Sequence, residues 1–160
     1  MDLVMSHNAS DVATLAALLA FEAAIFASPL DHADDGGLDR AGLGRCLVAL
    51  GRAVEGEALL EAAARDGNER AAILLSRRYG RSGRIGDRAR IQEFLGAGFD
   101  GKVERAKYLE HCEHDYRAAL SWVRRAEEGT EGAMRARELD SRKERLLRKE
   151  KLAQARRGRE

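Results

Sequence analysis

The chain has 160 residues, of which 44% are apolar, 34% charged and 5% aromatic. That length supports one globular core, and the mixture excludes a disordered or fibrous chain. Net charge is only +1, but 131–160 hold 11 Lys/Arg against 6 Asp/Glu, a net of +5, and the remaining 17 against 21 leave −4. An acidic body therefore carries a basic tail. Alanine, leucine, arginine and glutamate dominate, without the β-branched and aromatic enrichment of a sheet, so the expected fold class is all-α.

The first predicted element is a helix capped by Ser10 or Asp11, running to about Ala27 and stopped by Ser28-Pro29. Leu15, Leu18, Leu19, Ile25 and Phe26 lie on one side of it, and Ala17, Phe21 and Ala24 on another. A helix apolar on two sides calls for neighbours on both. The run 12–27 has no positive charge before it, is interrupted by Glu22 and is short for a bilayer, which argues against membrane insertion and export. Cys46 and Cys112 match no zinc or redox spacing, so a reduced, cytoplasmic protein is expected.

A polar loop, Asp31-His32-Ala33-Asp34-Asp35-Gly36-Gly37, precedes a series of helical stripes. Leu43, Cys46, Leu47 and Leu50 end at Gly51; Ala58, Leu59, Ala62 and Ala63 end at Asp66-Gly67. Ala71, Leu74, Leu75 and Tyr79 break at Gly80 and Gly83; Ala89, Ile91, Phe94 and Leu95 break at Gly96 and Gly98. Val103, Ala106 and Leu109 reach His114-Asp115, where Asp115 can cap the next helix; Tyr116, Ala119, Leu120, Val123 and Ala126 end near Gly129. The turns at Gly51, Gly83 and His114 are 32 and 31 residues apart, the period of a helical solenoid.

The pattern A-x3-F-x2-A of a tetratricopeptide-like second helix is matched by Gly56-x3-Leu60-x2-Ala63 and Ala119-x3-Val123-x2-Ala126, and slips around 88–95. Residues 131–160 read as one charged helix with Leu139, Leu146 and Ala153 at a seven-residue repeat, a solenoid cap or weak coiled coil fraying after about Gln154. The expected organisation is an apolar helix over 1–30, about three degenerate helix pairs over 38–129, and a basic helix or cap over 130–160.

His7 and Asp11 are the candidate catalytic residues. The run His7-Asn8-Ala9-Ser10-Asp11-Val12-Ala13-Thr14-Leu15-Ala16-Ala17-Leu18-Leu19 resembles the last motif of RNase H-like 3′–5′ exonucleases of the YprB type. The segment Ala106-Lys107-Tyr108-Leu109-Glu110-His111-Cys112-Glu113-His114-Asp115-Tyr116-Arg117-Ala118-Ala119-Leu120-Ser121-Trp122 is similar to the last repeat of the tetratricopeptide-like extension such proteins often carry. Beyond it, Glu138-Leu139-Asp140-Ser141-Arg142-Lys143-Glu144-Arg145-Leu146 resembles the basic helix that follows that repeat.

The resemblance implies that Asp11 is a ligand of a divalent metal (Mg or Mn) and His7 the general base activating water. The family's other carboxylates would lie upstream of Met1. In isolation the chain is thus expected to use no cofactor and not to be an enzyme; Asp11 is then a helix cap and His7 a solvated side chain.

Other candidates are binding residues. Trp122, with Tyr108 and Tyr116, can anchor a partner or cover the core. His111 and His114 sit three apart in Glu110-His111-Cys112-Glu113-His114-Asp115, as metal ligands or as residues of a tight turn. Arg77, Arg78, Arg81, Arg84, Arg88 and Arg90 make a basic run over 77–90, and the tail a second; each is a solvated face or a nucleic-acid contact. Three functions follow: a non-catalytic helical-repeat interaction module whose partner is a protein or the missing RNase H-like domain, a stand-alone scaffold, or one part of a split metal-dependent exonuclease.

Overall fold

The computed structural model describes residues 2–33, 36–128 and 132–157. Among these residues every regular element is helical: α1 (Asp2–Ala27), α2 (Arg40–Ala49), α3 (Ala53–Arg65), α4 (Glu69–Arg81), α5 (Ile85–Ile91), α6 (Phe99–Tyr108), α7 (Tyr116–Glu127) and α8 (Ala133–Arg157). A 3-10 turn, Gln92–Phe94, follows α5, and a π-helical turn, Leu109–Glu113, extends α6. The chain divides into two compact units, Met1–Leu59 and Leu60–Glu160. Asp34-Asp35, the stop expected near Gly129 and the end of the tail beyond Arg157 lie outside the described residues.

Local chemistry accounts for several helix ends. Gly51, Gly67 and Gly83 have φ of 84°, 89° and 70°, values that cost glycine nothing and other residues strain. After each, the next amide reaches back five residues: Arg52 N–H to Leu47 O, Asn68 N–H to Ala63 O and Arg84 N–H to Tyr79 O, all at 2.9 Å. These bonds satisfy carbonyls the helix end leaves open. The spacing of 16 residues is kept twice and then lost, because Gly98 is extended (φ −66°, ψ 167°) and the next left-handed residue is His114 (φ 55°). Within 88–95, α5 ends at Ile91 and the 3-10 turn Gln92–Phe94 follows. Asp39, Asn68 and Asp115 cap α2, α4 and α7 through their side chains.

In the first unit, Ile25, Leu43, Leu47 and Leu59 form the core. The close approach expected of small residues is present at Gly56, where a Cβ would stand 2.6 Å from the Gly44 carbonyl oxygen and 2.7 Å from Val48 Cγ2. Arg52 ties the end of α1 to the α2–α3 turn by donating to the Phe26 carbonyl and, at 2.7 and 2.6 Å, to both oxygens of Glu55.

The expected start of α1 is corrected. Neither Ser10 nor Asp11 is a cap, since the helix already runs from Asp2 and the Ser10 carbonyl accepts the Thr14 hydroxyl at 2.9 Å inside it. Within this longer helix Ser10–Ala27 is 18 residues with mean hydropathy 1.7, long and apolar enough to cross a membrane and only 6% buried. Val12, Leu15, Leu18, Leu19 and Phe21 are each more than half exposed.

In the second unit, α7 packs against both α6 and α8 around Val103, Ala106, Ala119, Leu120, Val123, Ala126, Leu139 and Leu146. The seven-residue repeat of α8 is realised at Leu139 and Leu146, which are 1% and 0% exposed. Each such burial contributes about 1.5–3 kcal/mol. The tail helix persists to Arg157, past the fraying point expected near Gln154. Tyr79 of α4 is fully buried and its hydroxyl donates to Glu61 of α3 at 2.7 Å. Glu69 of α4 enters a space that Gly96, Gly98 and Gly101 leave at the start of α6.

Candidate functional site

The second unit holds a groove of about 530 Å³ whose wall gathers cations from four elements. On α4, Arg77, Gly80 and Arg81 lie three and four apart and so share a face. Arg88 enters from α5, Lys107 from α6, His111 from the π-helical turn, and Arg142, Arg145 and Lys149 from α8. Seven Lys/Arg side chains thus line it, with Glu104 as the single carboxylate in the wall among the described residues.

Two buried carboxylates hold five of these cations in place. Glu104, 1% exposed, accepts from Ser76 Oγ and Arg88 Nη2 at 3.0 Å on Oε1 and from Arg77 Nε at 3.3 Å on Oε2. Glu110, also 1% exposed, accepts from Arg145 Nε at 2.9 Å and Lys149 Nζ at 2.8 Å on Oε1. Its Oε2 accepts from Arg142 Nη1 at 3.2 Å and Arg145 Nη2 at 3.1 Å. Burial alone would raise the Glu110 pKa, but the hydrogen bonds from Arg145 and Lys149 outweigh it and hold the carboxyl at about 2.

Gly80 corrects a second expectation. It does not break α4, which continues to Arg81. A Cβ there would stand 3.0–3.3 Å from the Arg88 guanidinium, so the missing side chain is the seat across which Arg88 reaches Glu104.

Not all of the charge is neutralised. Arg81 and Lys107 make no hydrogen bond or ion pair among the described residues. Burial lowers the Lys107 pKa; Glu104 opposes this, while Arg142 and Arg77 lower it further. Arg142 is 9% exposed, and its Nε is a buried donor without an acceptor among the described residues. Burial also lowers the pKa of His111, with Glu110 opposing, which favours the neutral imidazole near pH 7.

The residues expected from sequence fall in several places. His7 Nε2 and Asp11 Oδ2 are 3.7 Å apart on α1, with side chains 78% and 60% exposed. His111 lines the basic groove, whereas His114 lines another hollow with Asp115, Tyr116 and Glu150, so the two histidines do not converge. No group of three His, Cys, Asp or Glu able to hold a metal occurs among the described residues.

Trp122 lies against the α6–α8 core with the Arg105 and Arg125 guanidiniums each 4.7 Å from its ring centre. Tyr108 is 7% exposed beneath a small hollow it shares with Trp122, and Tyr116 packs on the core near Lys149. Of the 77–90 run, Arg77, Arg81 and Arg88 face the groove, while Arg84 and Arg90 pair with Asp87.

In the sequence, 77–90 and the tail are two separate basic stretches; folded, residues of both line one groove. The available signal was the spacing of Arg142, Arg145 and Lys149, which share a helix face three and seven residues apart, and two glutamates on a helix otherwise facing inward. No family model matches this chain, and neither the curated proteins nor the solved structures yield a significant match.

Proposed function

We propose that the chain is a non-catalytic helical-repeat interaction module, and that the basic groove of its second unit is the face that binds an anionic partner. The observation that carries this reading is the surplus of cations there: seven Lys/Arg line the groove around two buried carboxylates. Seven cations gathered on one wall repel one another, and with only two carboxylates among them such a surplus favours an anion. The helices α2 to α5, with left-handed stops 16 residues apart, support a tetratricopeptide-like repeat.

The test is retention of the full chain on a heparin matrix, a generic polyanion. Arg81→Glu/Lys107→Glu is expected to elute at clearly lower salt than the unchanged chain with the same helical circular dichroism. Equal elution of the two would remove the groove from the binding.

A second reading rests on α1. His7 and Asp11 face each other on it, and the resemblance of this run to the last RNase H-like exonuclease motif supports a chain that completes a divalent-metal nuclease, or once belonged to one. The exposed apolar side chains of α1 favour a protein partner such as the RNase H-like domain itself. Single-stranded DNA digestion by the purified chain with Mg or Mn is expected to be absent. Digestion that disappears in Asp11→Ala would replace the non-catalytic reading by the nuclease one.

A further inference from the structure

We propose that the basic groove is a site for a compact oligophosphate, a ligand with two or more linked phosphoryl groups, contacted first by Arg81, Lys107 and Arg142. The inference rests on the reading of the groove as an anion-binding face and adds which anion it takes.

The wall has five cationic charges beyond those matched by Glu104 and Glu110, gathered in about 530 Å³. Side-chain carboxylates along a peptide bring single charges spaced apart, whereas each phosphoryl group brings about −1.5 to −2 and three acceptor oxygens. Linked phosphoryls therefore match the charge density of the groove, and the planar forks of its arginines suit phosphate oxygens.

Three donors are already in place for such a ligand. Arg142 is 9% exposed, yet its Nε lacks an acceptor among the described residues. The Lys107 ammonium is unpaired and crowded by Arg142 and Arg77, and Arg81 is unpaired at the rim. Their neighbours are fixed beforehand: Arg88 by Glu104 across Gly80, and Arg145 and Lys149 by Glu110. Fixed cations lose little freedom when the anion arrives, which lowers the cost of binding. Among the described residues no Phe, Tyr or Trp lines the groove and its one ring is the His111 imidazole, so cations rather than a stacking platform dominate the wall and the phosphates lead recognition.

The experiment is titration calorimetry of the full chain at physiological salt with tripolyphosphate, ATP and polyglutamate. One tripolyphosphate per chain is expected, weakened at least tenfold in Arg81→Gln/Lys107→Gln, a variant that removes no pair holding the fold. Circular dichroism and the melting temperature of the ligand-free variant check that it folds, and Arg81→Gln alone is the milder second variant. ATP binding as tightly as tripolyphosphate would place the source in any oligophosphate, free or attached, as proposed. ATP binding tenfold tighter would mean that the nucleoside is recognised, and would overturn the inference.

Tripolyphosphate binding that the variants leave unchanged would also overturn it. Loss of the heparin retention difference together with no tripolyphosphate binding would bring down both the anion-binding face and the phosphate assignment. Retention that depends on Arg81 and Lys107, with polyglutamate bound and tripolyphosphate not, would bring down the phosphate assignment alone.

Discussion

The two longest helices, α1 with 26 residues and α8 with 25, place their side chains in opposite ways. The apolar helix α1 leaves Val12, Leu15, Leu18, Leu19 and Phe21 more than half exposed, and among its described side chains only Ile25 near its end enters a core. The charged helix α8 seats Leu139 and Leu146 fully and ties three cations to one buried carboxylate. The number of apolar side chains on a helix therefore does not decide its docking here. Their arrangement does: α8 has a narrow apolar seam at a seven-residue repeat with cations flanking it, whereas α1 is apolar on several sides and offers no single face.

Equal insults to the two helices should accordingly give unequal results. Leu146→Ala is expected to cost about 2–5 kcal/mol in denaturant unfolding, because it empties a filled site between α7 and α8. The double change Leu15→Glu/Leu19→Glu in α1 is expected to stay within about 0.5 kcal/mol, since neither side chain is buried. A large loss from the second variant would show that the exposed face of α1 is covered in solution, and light scattering on the unchanged chain would then report an oligomer.

The anchoring of α8 also has a pH signature. The folded Glu110 carboxyl sits at about 2 against an ordinary 4.5, so an unfolded chain takes up its proton first as the pH falls. The stabilisation is complete above about pH 4.5 and is lost between there and about pH 2, on the order of 2–3 kcal/mol. Glu110→Gln should flatten that part of an acid titration followed by Trp122 fluorescence, and should lower stability at pH 7 by leaving Arg142 and its neighbours without their counter-charge. An unchanged acid profile would sever the link between Glu110 and the docking of α8.

A smaller effect tests packing in the first unit. Gly56→Ala brings a methyl to 2.6 Å from the Gly44 carbonyl and is expected to cost about 1–3 kcal/mol by thermal unfolding. Gly51→Ala, where there is open space but φ is 84°, should cost about 1 kcal/mol through backbone strain alone. Equal costs would mean that α2 and α3 do not approach as closely at Gly56 as they do here.

The sequence by itself determined the features whose cause lies within a few residues. The helical periodicity, the stops at Gly51 and Gly83, the cap at Asp115 and the Leu139/Leu146 seam were all legible, because each depends on backbone freedom, a neighbouring amide or one turn of helix. Two local readings failed for physical reasons. Gly80 looks like a breaker, yet a helix tolerates it where the missing Cβ makes room for Arg88. Asp11 looks like a cap because it precedes the apolar run, yet the helix is already under way by Asp2.

The groove was decided only by the tertiary structure. Its defining contacts join Glu104 to Arg77 and Arg88 and Glu110 to Arg142, Arg145 and Lys149, partners 27, 16, 32, 35 and 39 residues apart. At such separations no periodicity or spacing rule links a carboxylate to its cations. Packing α6 and α8 on the same core buries the two glutamates, and burial turns a scatter of surface-type charges into a fixed cationic wall.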